Sequence, residues 1–172
     1  MSTEGTAPVG TTPIGTPEAP PAPAPAGSIV VGHDGSADAD NALHTALGLA
    51  DELQAPVVIV RAWSIDNAPR PANWEFGYVS SRLEYSDAVR ASLIADTDAA
   101  VRAFPKVIVD YRVVHSGEPA VSLIEVAREA RMLVIGSRGL GGLVGLMLGS
   151  VSDRCAGHAS CPVLVTRQQR SR

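Results

Sequence analysis

The sequence predicts an α/β domain in which a five-stranded parallel sheet lies between two layers of helices, a doubly wound three-layer sandwich. Short apolar runs alternate with stretches of helical spacing in the order βαβαβαβαβ. The apolar runs are mostly continuous rather than alternating, as is typical of strands whose two faces are both covered by helices. Together these two observations predict the fold class.

Each element has its own local signal. The predicted strands are residues 29–31, 57–60, 107–115, 132–135 and 163–165, and the predicted helices are 38–53, 86–104, 119–130 and 151–158. Ser36 is available as a cap for the first helix, and Pro119 suits the first turn of the third. Core positions recur at helical spacing in the first two helices: Ala42, Ala46, Leu47 and Leu49, then Val89, Leu93, Thr97 and Val101.

The chain divides into two regions of different amino-acid composition. Residues 1–27 are rich in proline and alanine and hold almost no large apolar side chain, so we expect a disordered or polyproline II tail. Such a tail serves either as a proline-rich ligand for a partner or as a solubilising segment. Residues 28–172 carry the alternation of strands and helices and form the predicted α/β domain.

Charge and composition exclude several classes of function. The formal net charge of the 172 residues is -4 with both signs interspersed, so nothing predicts nucleic-acid binding. No apolar run approaches the ~18 residues of a membrane span, and the N-terminus lacks the pattern of a signal peptide. Cys155 and Cys161 fit two reduced thiols. We therefore expect a cytoplasmic protein without a membrane partner.

The crossover over residues 63–106 is unusually long and begins with most of the aromatic side chains. Two interpretations stay open for its first half, a lid over a ligand or a plug that covers a sheet edge or helix end. The aromatic residues concerned are Trp63, Trp74, Phe76, Tyr78 and Tyr85.

A ligand is expected where the first and fourth strands end. In open α/β sheets, ligands bind outside the carboxyl ends of strands at the point where the strand order reverses. The two loops concerned are GHDGS, residues 32–36, and GSRGLGGLVGLMLGS, residues 136–150. Both carry glycines at the end of a buried strand.

The second of these loops, residues 136–150, has features of an anion-binding site. Gly136 and Gly139 bracket a turn whose N–H groups can form an anion-binding concavity. Ser150 is the predicted N-cap of the last helix, with Asp153 at capping-box spacing, and a helix N-terminus favours phosphate. The hydroxyls of Ser150 and Ser152 are further candidate donors. The alternative is an apolar loop that packs its leucines against the sheet.

Two common phosphate motifs do not fit this loop. A P-loop requires a lysine there, but the chain's single lysine is Lys106. The dinucleotide fingerprint requires a third glycine where Val144 stands. The loop therefore belongs to neither class.

The spacing G-x2-G-x9-G-[ST], formed by Gly136, Gly139, Gly149 and Ser150, resembles the nucleotide-binding signature of the universal stress protein family. The resemblance extends over nearly the whole chain after the tail. VVGHDGSADADNAL resembles the family's first strand and turn, VVIVRAW its second strand, and VIGSRG…GSVSDR…CPVLVTR its C-terminal third.

The resemblance implies a strand order 3-2-1-4-5, ATP binding with Mg²⁺, a role in stress-response signalling or regulation, and a homodimer paired through the last strand. Slow hydrolysis at most is expected, because the sequence shows no arranged base, no lysine at the loop and no arginine finger of obvious placement. No catalytic residue is assigned. The nucleotide-binding positions that the resemblance and the loop analysis assign are Gly32, Asp34, Ala62, Ile135, Gly136, Arg138, Gly139, Gly149, Ser150, Val151 and Ser152.

Asp34 and His33 are the only candidates for chemistry in the first loop. Asp34 binds the ligand, holds Mg²⁺ through water, or caps the first helix. His33 is predicted to point away from Asp34 because adjacent strand residues face opposite sides. The other histidines are scattered, so no metal cluster is predicted. Two alternatives to the ATP-binding function stay open: a nucleotide-free interaction module, and an ATP-hydrolysing or adenylating enzyme.

Overall fold

The computed structural model describes residues 20–71, 81–140 and 148–167. Strands and helices alternate there as predicted: β1 (Ile29–Gly32), α1 (Ala37–Leu53), β2 (Val57–Trp63), α2 (Arg82–Arg102), β3 (Val109–His115), α3 (Pro119–Val126), β4 (Met132–Gly136), α4 (Ser150–His158) and β5 (Val163–Thr166). No helix within these ranges has both the length and the apolar character needed to span a bilayer.

The five strands form one parallel sheet in the order β3-β2-β1-β4-β5, which confirms the predicted fold class. The central strand β1 pairs with β2 on one side and with β4 on the other; Val31 lies opposite both Ile59 and Val134. The order reverses at β1, so the carboxyl ends of β1 and β4 diverge into separate loops there.

Successive residues of β1 face two different cores. Ile29 and Val31 pack with α1 and α2, whereas Val30 packs with α3 and α4. All three are fully buried. Because strand side chains alternate between the two faces, burial on both sides requires the unbroken apolar run seen in the sequence.

The helix that follows β1 is predicted accurately. The hydroxyl of Ser36 accepts a hydrogen bond from the Ala39 N–H at 3.3 Å and caps α1. Of the predicted core positions in α1, Ala42, Ala46 and Leu47 are fully buried and Leu49 is half-buried.

Several predicted boundaries differ from the structure; strand β2, for example, continues to Trp63 rather than ending at residue 60. Helix α2 begins at Arg82 rather than residue 86, because Ser81 and Glu84 form a capping box one turn earlier. Strand β3 begins at Val109 because the chain still turns at Val107, whose N–H donates to the carbonyl of Phe104. Helix α3 ends at Val126, and the chain continues in turns up to residue 129.

The last residues of the predicted tail pack on the domain. Ala24 is 1% exposed, and its N–H donates to the carbonyl of Val126 at 2.7 Å. The Arg112 guanidinium donates to the carbonyls of Ala22 and Pro23 at 2.8 and 3.1 Å. Residues 22–27 therefore form a strap across α3 and β3, within the segment for which the sequence predicts a disordered or polyproline II tail. Composition does not reveal the donors that Arg112 supplies to this strap. Residues 1–19 lie outside the described residues.

Candidate functional site

A cavity of about 840 Å³ lies at the carboxyl ends of β1, β2 and β4. Its position matches the strand-order reversal at which a ligand is expected. All of the predicted nucleotide-binding positions line it: Gly32, Asp34, Ala62, Ile135, Gly136, Arg138, Gly139, Gly149, Ser150, Val151 and Ser152.

Asp34 joins the two loops that border this cavity. Its Oδ1 accepts a hydrogen bond from the Ser36 N–H, and its Oδ2 accepts one from the Leu140 N–H, both at 3.0 Å. Asp34 thus stabilises the turn that leads into α1, while the cap of that helix is Ser36. The carboxylate is exposed at the cavity wall.

A second carboxylate, which the sequence did not single out, accepts hydrogen bonds from the glycine loop. Asp38 Oδ2 accepts hydrogen bonds from the Ser137 hydroxyl at 2.8 Å and from the Arg138 N–H at 3.1 Å. Asp38 lies in the first turn of α1, a usual place for an acid. Its partners are about a hundred residues away in the chain, so no local pattern identifies them.

Two of the signature glycines are required by close packing. A Cβ on Gly136 would lie 2.7 Å from the carbonyl carbon of Asp38, and one on Gly139 would overlap Asp34 Oδ2. A Cβ on Gly149 would meet nothing nearer than 3.5 Å. None of the three has a positive φ, so the glycines allow backbone and carboxylates to approach the loop.

Helix α4 begins differently from the prediction. Gly149, not Ser150, is the N-cap, with φ −76° and ψ 162°, and no side chain caps the helix. The Gly149 N–H donates to the Ser137 carbonyl at 2.8 Å, which holds Gly149 extended and makes Ser150 the first helical residue. The carbonyl of Gly149 in turn accepts from the Asp153 N–H, as in an ordinary first turn.

Ser152 lines the cavity, but its hydroxyl forms hydrogen bonds within the protein. The hydroxyl donates towards the carbonyls of Gly136 at 2.7 Å and Ser137 at 3.2 Å, and the residue is 3% exposed. The Ser152 hydroxyl is thus engaged within the protein, and its assignment to a ligand stays a prediction. Its role is to fasten α4 to the end of β4.

Three backbone N–H groups remain available at this edge of the cavity. In the described part of the chain, the N–H groups of Gly139, Ser150 and Val151 have no hydrogen-bond partner. Two of them belong to the first turn of α4, where the helix dipole adds positive potential. This arrangement can bind an anion.

Arg61 organises a polar network on the α1/α2 side of the cavity. Its Nε donates to the His33 carbonyl at 3.0 Å, its Nη2 lies 2.9 Å from His33 Nδ1, and its Nη1 lies 2.8 Å from Asp96 Oδ2. His33 Nε2 lies 3.0 Å from Asp40 Oδ1. An arginine inside an apolar strand such as VVIVRAW was the available signal for this network, because a charge there requires partners.

The network keeps His33 neutral. Arginine only donates hydrogen bonds, so His33 Nδ1 is the acceptor and the proton lies on Nε2, directed at Asp40. Burial lowers the pKa of His33 below its usual value, partly offset by the bond to Asp40. Both ring nitrogens are engaged, and His33 holds the β1 and β2 ends together rather than acting as a base.

Part of the long crossover borders the cavity. Asn67, Ala68 and Pro69 line it. Trp63 is 2% exposed and packs against Tyr85 and His115, with ring centroids 6.3 and 4.7 Å away. Trp74, Phe76 and Tyr78 lie outside the described residues, so the choice between lid and plug stays a prediction.

Comparison with known proteins gives a family match. The family model described as the Universal stress protein family matches residues 26–167. Universal stress protein Rv2005c of Mycobacterium tuberculosis is 34% identical over 140 residues, which cover 81% of this chain and 45% of that protein. Universal stress protein Rv1996 of the same organism is 35% identical over 158 residues, 88% of this chain and 47% of that protein. The chain thus spans about half the length of these relatives.

Solved structures share the fold. A universal stress protein in complex with cAMP superposes with a TM-score of 0.61 at 24% identity, covering 84% of this chain and 98% of that one. A universal stress protein family member from Burkholderia pseudomallei gives 0.54 at 32% identity, covering 80% and 93%. The protein from Archaeoglobus fulgidus in complex with dAMP gives 0.54 at 18% identity, covering 81% and 96%.

Proposed function

The chain belongs to the universal stress protein family, and from this premise we propose that it binds ATP with Mg²⁺ in the cavity at the carboxyl ends of β1, β2 and β4. The observation that carries the proposal is that every assigned position lines one cavity. Three backbone N–H groups at the edge of this cavity have no hydrogen-bond partner among the described residues. Two of the solved structures with this fold hold cAMP and dAMP, both adenine nucleotides.

The phosphates are assigned to the N-terminus of α4. The N–H groups of Gly139, Ser150 and Val151 are the donors, and the Ser150 hydroxyl is exposed at the same edge. A phosphate there gains hydrogen bonds together with the favourable end of the helix dipole. Arg138 lies beside this edge and lines the cavity.

The base is assigned to the apolar part of the cavity near β2. Val60, Ala62, Leu123 and Ile135 line it. Gly32 forms its floor, where a Cβ would lie 2.9 Å from the Leu123 side chain, so glycine keeps this region flat. Backbone groups at the end of β2 beside Ala62 are suited to read the edge of an adenine.

Magnesium fits this site only as a companion of the phosphates. No cluster of three His, Cys, Asp or Glu side chains is placed for a metal among the residues described. Mg²⁺ at nucleotide sites commonly uses one or two carboxylates plus phosphate oxygens. Asp34 is the exposed carboxylate at the cavity wall, and each of its oxygens retains a lone pair. Bound Mg²⁺ would supply positive charge between that carboxylate and the phosphates.

The role proposed for the nucleotide is regulatory, with slow hydrolysis at most. Phosphoryl transfer requires a group that orients water and positive charge at the leaving phosphate. His33 has both ring nitrogens engaged, and Lys106 lies in the turn before β3. Bound ATP then sets a conformational or oligomeric state that protein partners in a stress response recognise.

Calorimetric titration of MgATP, ADP and AMP into the full chain tests the proposal. Gly139→Ala forces the Asp34 carboxylate away from the loop and should weaken MgATP binding by about 10-fold, the value of one hydrogen bond to a charged group. Gly157→Ala is the matched control in α4, because a Cβ there meets nothing within 4 Å.

Two results would contradict the proposal. Absence of binding by the wild-type chain would favour a nucleotide-free interaction module. ATP turnover of several per second that Asp34→Ala abolishes would show an enzyme instead, since it would place a rate-determining group in the first loop.

A further inference from the structure

Asp38 contacts the glycine loop and does not itself line the cavity. Resting on the nucleotide function proposed above, we infer that Asp38 is a positioning residue: it holds the turn of residues 136–139 in the shape that presents the Gly139 N–H to phosphate beside the first turn of α4, without touching the ligand. The resemblance assigns Asp34 to the nucleotide and leaves Asp38 without a role. The structure gives Asp38 a contact as close as that of Asp34.

A single carboxylate oxygen makes the link. Asp38 Oδ2 accepts from the Ser137 hydroxyl at 2.8 Å and from the Arg138 N–H at 3.1 Å. Asp38 is half-buried in the first turn of α1, where the helix dipole stabilises its negative charge. A rigid helix therefore carries the acceptor to which the loop is fastened.

Ser137 is the residue through which Asp38 is linked to the strands and to α4. It is 2% exposed, and its N–H donates to the Thr166 carbonyl at 2.7 Å. Its carbonyl accepts from the Gly149 N–H at 2.8 Å and from the Ser152 hydroxyl at 3.2 Å. The hydroxyl bond to Asp38 thus joins α1 to the same residue that holds β5 and the start of α4.

Packing supports the same link. Gly136 approaches Asp38 so closely that an added Cβ would lie 2.8 Å from the Asp38 Cβ and 2.9 Å from its carbonyl oxygen. Neither Asp38 nor Ser137 is among the described residues that line the cavity. Asp38 therefore acts through Ser137 and Arg138, and the glycine at 136 lets helix and loop meet.

The hydrogen bonds and the charge of Asp38 have opposite effects on binding. The two hydrogen bonds hold in place the turn that carries the Gly139 N–H, whereas the negative charge opposes the approach of phosphate. Asp38→Ala removes both. Asp38→Asn removes the charge and keeps an amide oxygen that can accept the same two hydrogen bonds, so this pair of variants separates positioning from electrostatics.

Titration of MgATP into wild type, Asp38→Ala and Asp38→Asn tests the inference. We expect Asp38→Ala to raise Kd about 10-fold through loss of the two hydrogen bonds that hold the turn. Asp38→Asn should restore the wild-type Kd or lower it. Asp51→Ala is the control, an exposed carboxylate near the other end of the same helix. Wild-type affinity in Asp38→Ala, or equal loss in both variants, would overturn the inference.

A measurement on the ligand-free protein separates this inference from the nucleotide proposal. Hydrogen exchange of the Arg138 amide should be about 10-fold faster in Asp38→Ala, since its hydrogen bond is lost, and close to wild type in Asp38→Asn. Unchanged exchange in Asp38→Ala would overturn the inference even if nucleotide binds. Faster exchange rescued by Asp38→Asn, with no nucleotide binding in any variant, would sustain the positioning role and reject only the nucleotide proposal.

Discussion

The imidazole Nδ1 of His33 accepts a hydrogen bond from the Arg61 guanidinium at 2.9 Å. A proton on Nδ1 would remove this bond and place two cations in contact. On the other side of the ring, Nε2 faces Asp40, and Arg61 itself is paired with Asp96. The ends of β1 and β2 are thus joined by a chain of four side chains that requires a neutral histidine.

This arrangement predicts lower stability in mild acid. Burial sets the pKa of His33 below its usual 6.5, so the unfolded chain takes up the proton first as pH falls. The contribution is complete above about pH 6.5 and is lost progressively towards the lowered pKa, with a slope of at most about 1.4 kcal/mol per pH unit. Urea unfolding between about pH 7.5 and 5 measures it.

His33→Gln is the variant that isolates this effect, and His44→Gln, at an exposed histidine of α1, is its control. We expect the free energy of unfolding of His33→Gln to vary less with pH than that of wild type or of the control. Parallel pH profiles for all three proteins would show that His33 does not carry the effect.

Gly136→Ala is expected to destabilise the domain. Its Cβ would lie 2.7 Å from the backbone of Asp38, so helix and strand must separate, at a cost of about 1–3 kcal/mol typical of overpacking. Gly48→Ala is the matched control, because a Cβ on that α1 glycine meets nothing within 4 Å; it should gain up to about 1 kcal/mol of helix stability. Thermal unfolding of both variants tests this prediction. A Gly136→Ala variant as stable as wild type would contradict the close approach of Gly136 to Asp38.

The homodimer through β5 stays a prediction and can be tested at Leu164. Strand β5 is an edge of the sheet, and Leu164 is 37% exposed on it. A charge on an edge strand opposes pairing, so Leu164→Lys should shift the protein towards monomer in sedimentation velocity. Leu83→Lys, at a leucine of α2 that is 77% exposed, should not. A wild-type monomer at every concentration would remove this prediction.

The strap of residues 22–27 is expected to depend on Arg112. Arg112→Ala removes two hydrogen bonds to the strap carbonyls and should lower the free energy of unfolding by about 1 kcal/mol. Hydrogen exchange of the Ala24 amide, which donates to Val126, should accelerate with it. Arg102→Ala, at an exposed arginine paired with Asp98, is the control. Unchanged exchange at Ala24 would show that apolar packing alone holds the strap.

The outline of the fold follows from local sequence. Continuous apolar runs such as that around Val58 specify a strand buried on both faces, and Ser36 specifies where α1 starts. The predicted start of α2 was wrong because the capping box of Ser81 and Glu84, a local signal, begins the helix one turn before residue 86.

The candidate site was predictable only where its signal is a spacing along the chain. Gly136, Gly139 and Gly149 could be assigned together because their separations form one pattern. The reason why glycine is required at positions 136 and 139 could not be predicted, since their neighbours Asp38 and Asp34 lie about a hundred residues away in the chain.

By itself, the sequence determined the order of elements, the two buried faces of the sheet and the loops at which a ligand is expected, because these depend on residue type and period. The tertiary structure alone decided which polar groups are engaged in hydrogen bonds within the protein. It committed the Ser152 hydroxyl to the end of β4, His33 to Arg61, and Asp38 to the glycine loop. Hydrogen bonds satisfy whichever donor and acceptor the fold brings within about 3 Å, and that proximity is created only when strands distant in sequence become neighbours in the sheet.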